Sequence, residues 1–217
     1  MKPIVVINPN STEEVTRGID GALDPLRLEG GPPLECVTLK EGPPGIESQA
    51  HADAVVAPLC ELIRSRDDSA SAFIIACYSD PGLHAARETT SKPVLGIAES
   101  AMVTALTRGE RFGIISILDA SIPRHQRAVR AAGLSARFAG DVPIGVSVVD
   151  LAGEDEVFGK LVTAGRRLRD DDSANVLILG CAGMARYRKR LEDTLGMPVI
   201  DPTQAAATLA IGAVRLA

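Results

Sequence analysis

The sequence predicts an α/β fold of two pseudo-symmetric lobes, each a parallel sheet flanked by helices. Short runs rich in Val and Ile alternate with helical patterns along all 217 residues, and this alternation is typical of α/β folds. Several runs are continuously apolar, as expected for strands buried on both faces of a parallel sheet. A weak internal repeat indicates that the chain is divided into two similar lobes.

The strands and helix ends can be placed from local signals. Strands are predicted over residues 4–7, 36–39, 72–76, 94–97, 112–117, 146–150, 176–179 and 199–200. Ser11 and Glu14 have the spacing of a capping box at a helix start. Asp80 and Asp201 each precede a proline, as an N-cap residue does when proline takes the first helical position. Gly133 follows a helical stretch and fits a C-terminal cap.

The internal repeat pairs two strand-to-helix segments. Residues 73–77 read Phe-Ile-Ile-Ala-Cys and residues 177–181 read Leu-Ile-Leu-Gly-Cys. In both, an apolar strand ends in a cysteine and a helical pattern follows. We therefore expect one lobe over residues 1–98 together with a final helix at 202–217, and a second lobe over residues 99–201.

Composition and charge exclude several classes of protein. The chain has a formal net charge of −5, 3% aromatic residues and no Trp. The sequence therefore gives no sign of the basic surface or the stacking aromatic rings that are typical of a nucleic-acid binder. No apolar run is long enough to span a bilayer, and the first run is too short for a signal peptide. We expect a cytoplasmic protein with reduced thiols, and neither a nucleic-acid nor a membrane partner.

The matched cysteines, Cys77 and Cys181, carry the chemistry that the residues themselves suggest. Both lie at carboxyl ends of predicted parallel strands, where ligands of such sheets bind. Helix N-termini favour thiolate there, and the thiol pKa can be tuned toward neutrality. Two thiols on opposite walls of a cleft could exchange a proton across one substrate carbon and invert it. The alternative is that both cysteines merely fill the core as small hydrophobic residues.

The remaining reactive residue types have simpler interpretations. Cys36 and Cys60 fit a strand and an apolar helix face. The cysteine spacings match no zinc site, and no phosphate loop or dinucleotide fingerprint is present. No metal and no cofactor are therefore expected. Surface or packing roles are expected for the three histidines, His51, His84 and His125, and the arginine-rich runs at 124–130, 166–169 and 186–190 are expected to be solvated helix faces.

Four segments together resemble one known family. They are Ile7-Asn-Pro-Asn-Ser-Thr12, Gly42-Pro-Pro-Gly-Ile-Glu-Ser48, Ala76-Cys-Tyr-Ser-Asp-Pro-Gly-Leu83 and Gly180-Cys-Ala-Gly-Met184. The chain resembles, over essentially its whole length, the hydantoin racemase family, which includes allantoin racemases and belongs to the aspartate/glutamate racemase superfamily. The first and third segments are fairly specific to the hydantoin branch, whereas the paired cysteines mark only the superfamily.

The resemblance implies that the active site lies in the cleft between the two lobes. It also implies cofactor-independent racemisation at C5 of a 5-substituted hydantoin, with Cys77 and Cys181 as the two acid–base residues. The carbanion at C5 is an enolate that needs nearby hydrogen-bond donors. Residues implied to bind substrate or to donate to that enolate are Asn8, Gly45, Ile46, Tyr78, Ser79, Ser116, Ala182 and Gly183. Loop structure alone is the alternative for these positions. The resemblance also implies a homo-oligomer acting on a small molecule.

The substrate and the reaction each have alternatives that the sequence leaves open. Many relatives carry Phe-Gly or Phe-Asp where this chain has Tyr78 and Ser79, so an apolar C5 substituent and the ureido group of allantoin are equally compatible. Related scaffolds also resemble this chain: amino-acid (Asp/Glu) racemases, malonate decarboxylases and maleate isomerase-like enzymes. A bilobal binding protein without chemistry is the alternative from another class.

Overall fold

The computed structural model describes residues 1–151 and 154–216. The first sheet contains β1 Ile4–Asn8, β2 Leu34–Thr38, β3 Ala72–Ile75 and β4 Val94–Gly96, and the second contains β5 Phe112–Ser116, β6 Phe138–Pro143, β7 Val176–Leu179 and β8 Val199–Ile200. The described helices are α1 Glu13–Ala22, α2 Gln49–Ala54, α3 Val56–Arg66, α4 Leu83–Thr89, α5 Ile97–Ala105, α6 Ile122–Ala131, α7 Glu154–Asp170, α8 Arg188–Leu195 and α9 Pro202–Leu216. Residues 152, 153 and 217, which the predicted lobes include, lie outside the described residues.

The two sheets have the same topology. Their strand orders are β2-β1-β3-β4 and β6-β5-β7-β8, and all the strand pairs are parallel. In the first sheet the amide of Phe73 donates to the carbonyl of Pro93 at 2.9 Å, and in the second the amide of Leu177 donates to Pro198 at 2.9 Å. The prediction of two similar parallel α/β lobes is confirmed.

Apolar side chains cover both faces of each sheet. In the first sheet Val5 and Phe73 pack under α2, α3 and α4, whereas Val6 and Ile74 face α1 and α9. The second sheet is likewise enclosed by α7 and α8 on one face and by α5 and α6 on the other. Successive residues of a strand point to opposite faces, so a strand covered on both faces is continuously apolar.

The final helix, α9, packs against the first sheet. It contacts β3, β4 and α5, and Ala206 and Ala210 join the core formed by Ile4 and Val6. The side-chain amide of Gln204 donates to the carbonyl of Ala22 at 2.7 Å. The assignment of residues 202–217 to the first lobe and the boundaries at residues 98 and 201 stay a prediction.

One strand differs from its prediction. Residues 146–150 form no strand, and the edge strand of the second sheet is β6, Phe138–Pro143. Gly140 and Asp141 interrupt its apolar character, and Pro143 ends it, which only an edge strand tolerates. The apolar residues Val146 and Val148 are buried in the loop that follows. Hydrophobicity alone therefore pointed to the wrong segment.

The helix caps are partly as predicted. Helix α1 begins after Thr12 rather than at Ser11, and Asp80 does not cap α4, whose N-cap is Gly82. The Asp201 prediction is confirmed, because its Oδ1 accepts from the amide of Gln204 at 2.7 Å at the start of α9. Gly133 is also confirmed, with a left-handed φ of 72° just after α6.

Candidate active site

Cys77 and Cys181 occupy equivalent positions in the two sheets. Each follows the strand beside the first strand of its own sheet. The amide of Ala76 donates to the carbonyl of Ile7 at 2.8 Å, and the amide of Gly180 donates to the carbonyl of Ile115 at 2.8 Å. The internal repeat therefore places both cysteines at the carboxyl edge of a sheet, where α/β folds bind ligands.

Both cysteines line one pocket between the lobes. The pocket is narrow, with a free volume of about 30 Å³. Its described lining residues are Asn10, Val15, Ile46, Ala76, Cys77, Tyr78, Ser79, Ile117, Ser121, Arg124, His125, Val148, Gly180, Cys181, Ala182 and Gly183. The two thiols are each half-buried. Both cysteines thus line one narrow pocket.

Five of the eight residues implied to bind substrate or enolate line this pocket: Ile46, Tyr78, Ser79, Ala182 and Gly183. The structure brings these together from the two turns that follow the cysteines and from a loop of the first lobe. Their contacts with substrate stay a prediction.

Asn8, Gly45 and Ser116 are buried and are not among the described residues that line this pocket. The side-chain amide of Asn8 donates to Asn10 Oδ1 at 2.9 Å, so Asn8 positions a lining residue instead of lining the pocket itself. A Cβ on Gly45 would lie 3.1 Å from Cβ of Val148, which shows how closely the loops of the two lobes approach. Ser116 is fully buried, and its hydroxyl has no described hydrogen-bond partner.

The turn after each cysteine acts on the pKa of its thiol. The backbone amide and hydroxyl of Ser79 lower the pKa of Cys77, and the backbone amide of Gly183 lowers the pKa of Cys181. A turn follows Cys77, and a 3₁₀ turn at Ala182–Tyr187 follows Cys181, before α4 and α8 begin. The predicted role of Ser79 and Gly183 as donors to the enolate stays a prediction.

The thiol pKa values are raised, not tuned toward neutrality as predicted. Burial raises the pKa of Cys77 to about 11 and that of Cys181 to about 12. The hydrogen bonds from Ser79 and Gly183 act in the opposite direction, as expected, but they do not offset the loss of hydration around each sulfur. Desolvation disfavours the charged form of a thiol, so both thiols are neutral in the free site at pH 7.

Comparison with known proteins identifies the family of this chain. The family model for Asp/Glu/Hydantoin racemase matches residues 4–210. A hydantoin racemase from Pseudomonas sp. (strain NS671) is 36% identical over 209 residues, covering 95% of this chain and 84% of the relative. One from Paenarthrobacter aurescens is 34% identical over 217 residues, covering 98% and 91%. The chain belongs to the Asp/Glu/hydantoin racemase family.

A solved structure from the same family has a similar fold. Allantoin racemase from Klebsiella pneumoniae superposes with a TM-score of 0.92 at 30% identity, covering 100% of this chain and 89% of that one. The predictions of the family, of a racemase and of the two-lobed α/β fold are therefore confirmed. The roles of individual residues are not given by these comparisons.

Sequence reasoning missed two pocket residues in this member of the family. Arg124 and His125 were assigned to a solvated helix face and to a surface or packing role, but both are buried and line the pocket. They begin α6 on the side that faces Ser79 and Tyr78. The arginine-rich composition of α6 concealed this, and no local pattern signals it, because only docking of α6 against the Cys77 turn buries the two side chains.

His125 belongs to a buried polar cluster. Its Nδ1 lies 2.7 Å from Asp141 Oδ2, and both side chains are almost completely buried. The ring of Tyr78 meets the imidazole edge-on, with centroids 4.9 Å apart. Because Asp141 occupies Nδ1, Nε2 is the ring nitrogen left for a ligand.

The described part of the chain contains no cluster of three or more His, Cys, Asp or Glu side chains placed to hold a metal ion. Within the same ranges, no helix combines the length and apolar character needed to cross a membrane. All four cysteines are free thiols.

Proposed function

We propose that this racemase inverts C5 of 5-substituted hydantoins, allantoin among them, without a cofactor, by proton transfer between Cys77 and Cys181. One observation carries the proposal: two thiols from equivalent strand ends of two similar lobes line one pocket. The names of the relatives, hydantoin racemase and allantoin racemase, support the choice of substrate.

The proposed reaction has two proton transfers. The thiolate of one cysteine takes the C5 proton, and the electron pair of the broken C–H bond moves into the adjacent carbonyl to give an enolate. The thiol of the other cysteine then donates its proton to the opposite face of C5, and the carbonyl re-forms. The centre is inverted, and the two cysteines have exchanged their protonation states.

The raised pKa values suit an acid–base pair of this kind in one respect. A thiolate with a high pKa is a stronger base toward a carbon acid, although less of it is present at neutral pH. The hydrogen bonds from Ser79 to Cys77 and from Gly183 to Cys181 stabilise whichever sulfur is ionised.

We assign one substrate contact to Asn10 in place of Asn8. Oδ1 of Asn10 already accepts hydrogen bonds from Asn8 and from the amide of Thr12, at 2.9 and 3.0 Å. Its side-chain nitrogen therefore remains to donate to a carbonyl of the hydantoin ring. The five lining residues from the sequence analysis keep their proposed contacts.

Hydrogen exchange in deuterated water tests the two-base mechanism. Each enantiomer of a 5-substituted hydantoin is incubated separately, while NMR follows C5 exchange and polarimetry follows inversion. Cys77→Ser and Cys181→Ser should each abolish inversion, whereas Cys60→Ser, outside the pocket, should not. Wild-type racemisation by both single variants at the site would refute the mechanism.

A substrate panel tests the substrate class. Hydantoins with apolar and with ureido C5 substituents are compared with aspartate, glutamate and arylmalonates. Turnover of a hydantoin is expected. Turnover of an amino acid or a malonate alone would replace the proposed substrate with that of another branch of the superfamily.

We further propose a cytoplasmic homo-oligomer. Free thiols in the site favour a reducing compartment. Cell fractionation would test the compartment, and size-exclusion chromatography with light scattering would test the assembly. A monomer at micromolar concentration would contradict the second statement.

A further inference from the structure

Arg124 is a buried arginine between the two lobes. It is 8% exposed and begins the pocket-facing side of α6. Its Nε donates to Ser79 Oγ at 3.2 Å, Nη1 to the carbonyl of Ala120 at 2.8 Å, and Nη2 to Ser121 Oγ at 3.3 Å. In the described part of the chain, all the hydrogen-bond acceptors of this guanidinium are neutral.

A buried cation without a carboxylate partner is unusual. A guanidinium keeps its charge in proteins, and burial of a charge is unfavourable unless an opposite charge compensates it. A nearby group that can become negative is Cys77. Cys77 and Arg124 line the same pocket, and Arg124 donates to the hydroxyl of Ser79, two residues after Cys77.

The two cysteines differ in the charges around them. The charged groups that face Cys77 are Asp80, which opposes its thiolate, and Arg124, which favours it. Cys181 faces Asp201, Glu47 and the Cys77 sulfur, all of which oppose ionisation. Beside Arg124 itself, the further charged group is Arg127, one turn along α6.

We propose that Arg124 is a positioning residue that holds the negative charge of the thiol pair on Cys77, so that the singly ionised free enzyme has a Cys77 thiolate and a Cys181 thiol. This inference rests on the proposed two-base function. It follows that the singly ionised free enzyme is preset to deprotonate the enantiomer whose C5 hydrogen faces Cys77. The opposite enantiomer needs the minor form, in which the proton lies on Cys77.

Thiol alkylation tests the proposal without turnover. Wild type, Arg124→Gln and Arg124→Lys are treated with iodoacetamide at pH 7 to 9, and mass spectrometry measures the labelling rate of each cysteine separately. Loss of a neighbouring positive charge raises a thiol pKa by about one unit or more. Labelling of Cys77 in Arg124→Gln should therefore be about tenfold slower than in wild type at the same pH, with Cys181 unchanged. Arg124→Lys, which keeps the charge, should restore most of the rate.

Arg127→Gln is the matched control, because Arg127 lies on the same helix but is exposed. It should leave both labelling rates unchanged. If Arg124→Gln does not fold, as judged by circular dichroism, Arg124→Met is the second neutral variant, with a similar side-chain length.

Two results would overturn the proposal: an unchanged rate at Cys77 in the neutral variant, or equal slowing at both cysteines. These outcomes are distinct from failure of the proposed function, because serine substitution at either cysteine tests inversion whereas labelling reports only the thiolate population.

Discussion

Oδ1 of Asp80 accepts a hydrogen bond from the backbone amide of Ala98 at 2.9 Å, and Oδ2 accepts from the next amide, that of Glu99, at 2.8 Å. Both amides belong to the first turn of α5, where backbone donors lack partners within the helix. Asp80 itself lies in the turn after Cys77 and has a left-handed φ of 42°. A single carboxylate thus caps α5 and fixes the turn that carries Cys77.

Substitution of Asp80 should destabilise the protein and impair turnover together. Asp80→Ala leaves two helix amides without their acceptor, and hydrogen bonds to a charged group contribute about 1.5–3 kcal/mol each. We expect the free energy of unfolding to fall by about 3 kcal/mol or more, since two such bonds are lost, with a lower kcat because the Cys77 turn is released. Urea unfolding measures the first and polarimetry the second. Asp68→Ala, at an exposed acid, should change neither, and equal stability of the two variants would contradict the prediction.

Activity should rise with pH through the neutral range. Burial raises the pKa of Cys77 to about 11 and of Cys181 to about 12. The reactive form carries one thiolate, and a raised pKa means that little thiolate exists at pH 7. Each added pH unit below the pKa therefore increases it about tenfold. We expect kcat/KM to rise with a slope near one between pH 7 and 9, measured with a substrate that has no group titrating there. Cys60→Ser should give the same profile, and a flat profile would disprove the assignment.

Gly180 should tolerate no side chain. A Cβ there would lie 2.7 Å from the carbonyl oxygen of Ile115, so Gly180→Ala must displace the residue directly before Cys181. We expect a loss of about 1–3 kcal/mol in the free energy of unfolding, as for other overpacked sites, and a large fall in kcat. Gly159→Ala in α7 is the control, because nothing lies within 4 Å of its added Cβ. Gly159→Ala should be neutral or stabilising, since alanine is the better helix former. Equal effects of the two substitutions on stability and kcat would contradict the prediction.

The sequence predicts most of the sheet framework. Strand β7 matches its predicted bounds, and β1 and β5 differ from theirs by one residue. Central parallel strands are covered on both faces, so their apolar runs are unambiguous. The repeated strand–cysteine unit likewise identified the two residues on which the pocket is centred. Local sequence patterns therefore predicted the sheet framework and the two cysteines that line the pocket.

The rest of the pocket depends on contacts between lobes, which no local pattern encodes. Arg124 and His125 belong to a helix of mostly charged residues, and only docking of α6 against the Cys77 turn buries them. Asp80 has the sequence of a local N-cap, yet it caps α5, a helix that begins 17 residues later, at Ile97. Val148 lies in an apolar run that resembles a strand but forms a loop over the pocket.

Glu47 connects the first lobe to the loop that contains Val148. Oε1 of Glu47, in the first lobe, accepts from the amide of Val148, in the second, at 3.0 Å. Glu47→Ala removes this bridge beside the pocket. A lost hydrogen bond of about 1 kcal/mol corresponds to a rise in KM of about fivefold, with a smaller change in kcat. Steady-state polarimetry measures both constants.

Glu47→Gln separates the bridge from its charge. The amide oxygen can still accept from Val148, so KM should stay near the wild-type value. Because the negative charge of Glu47 helps to raise the pKa of Cys181, its removal should lower that pKa and speed alkylation of Cys181. Glu41→Ala, at an exposed acid before the same loop, should alter neither KM nor labelling. An unchanged KM in Glu47→Ala would show that the two lobes need no bridge here to hold substrate.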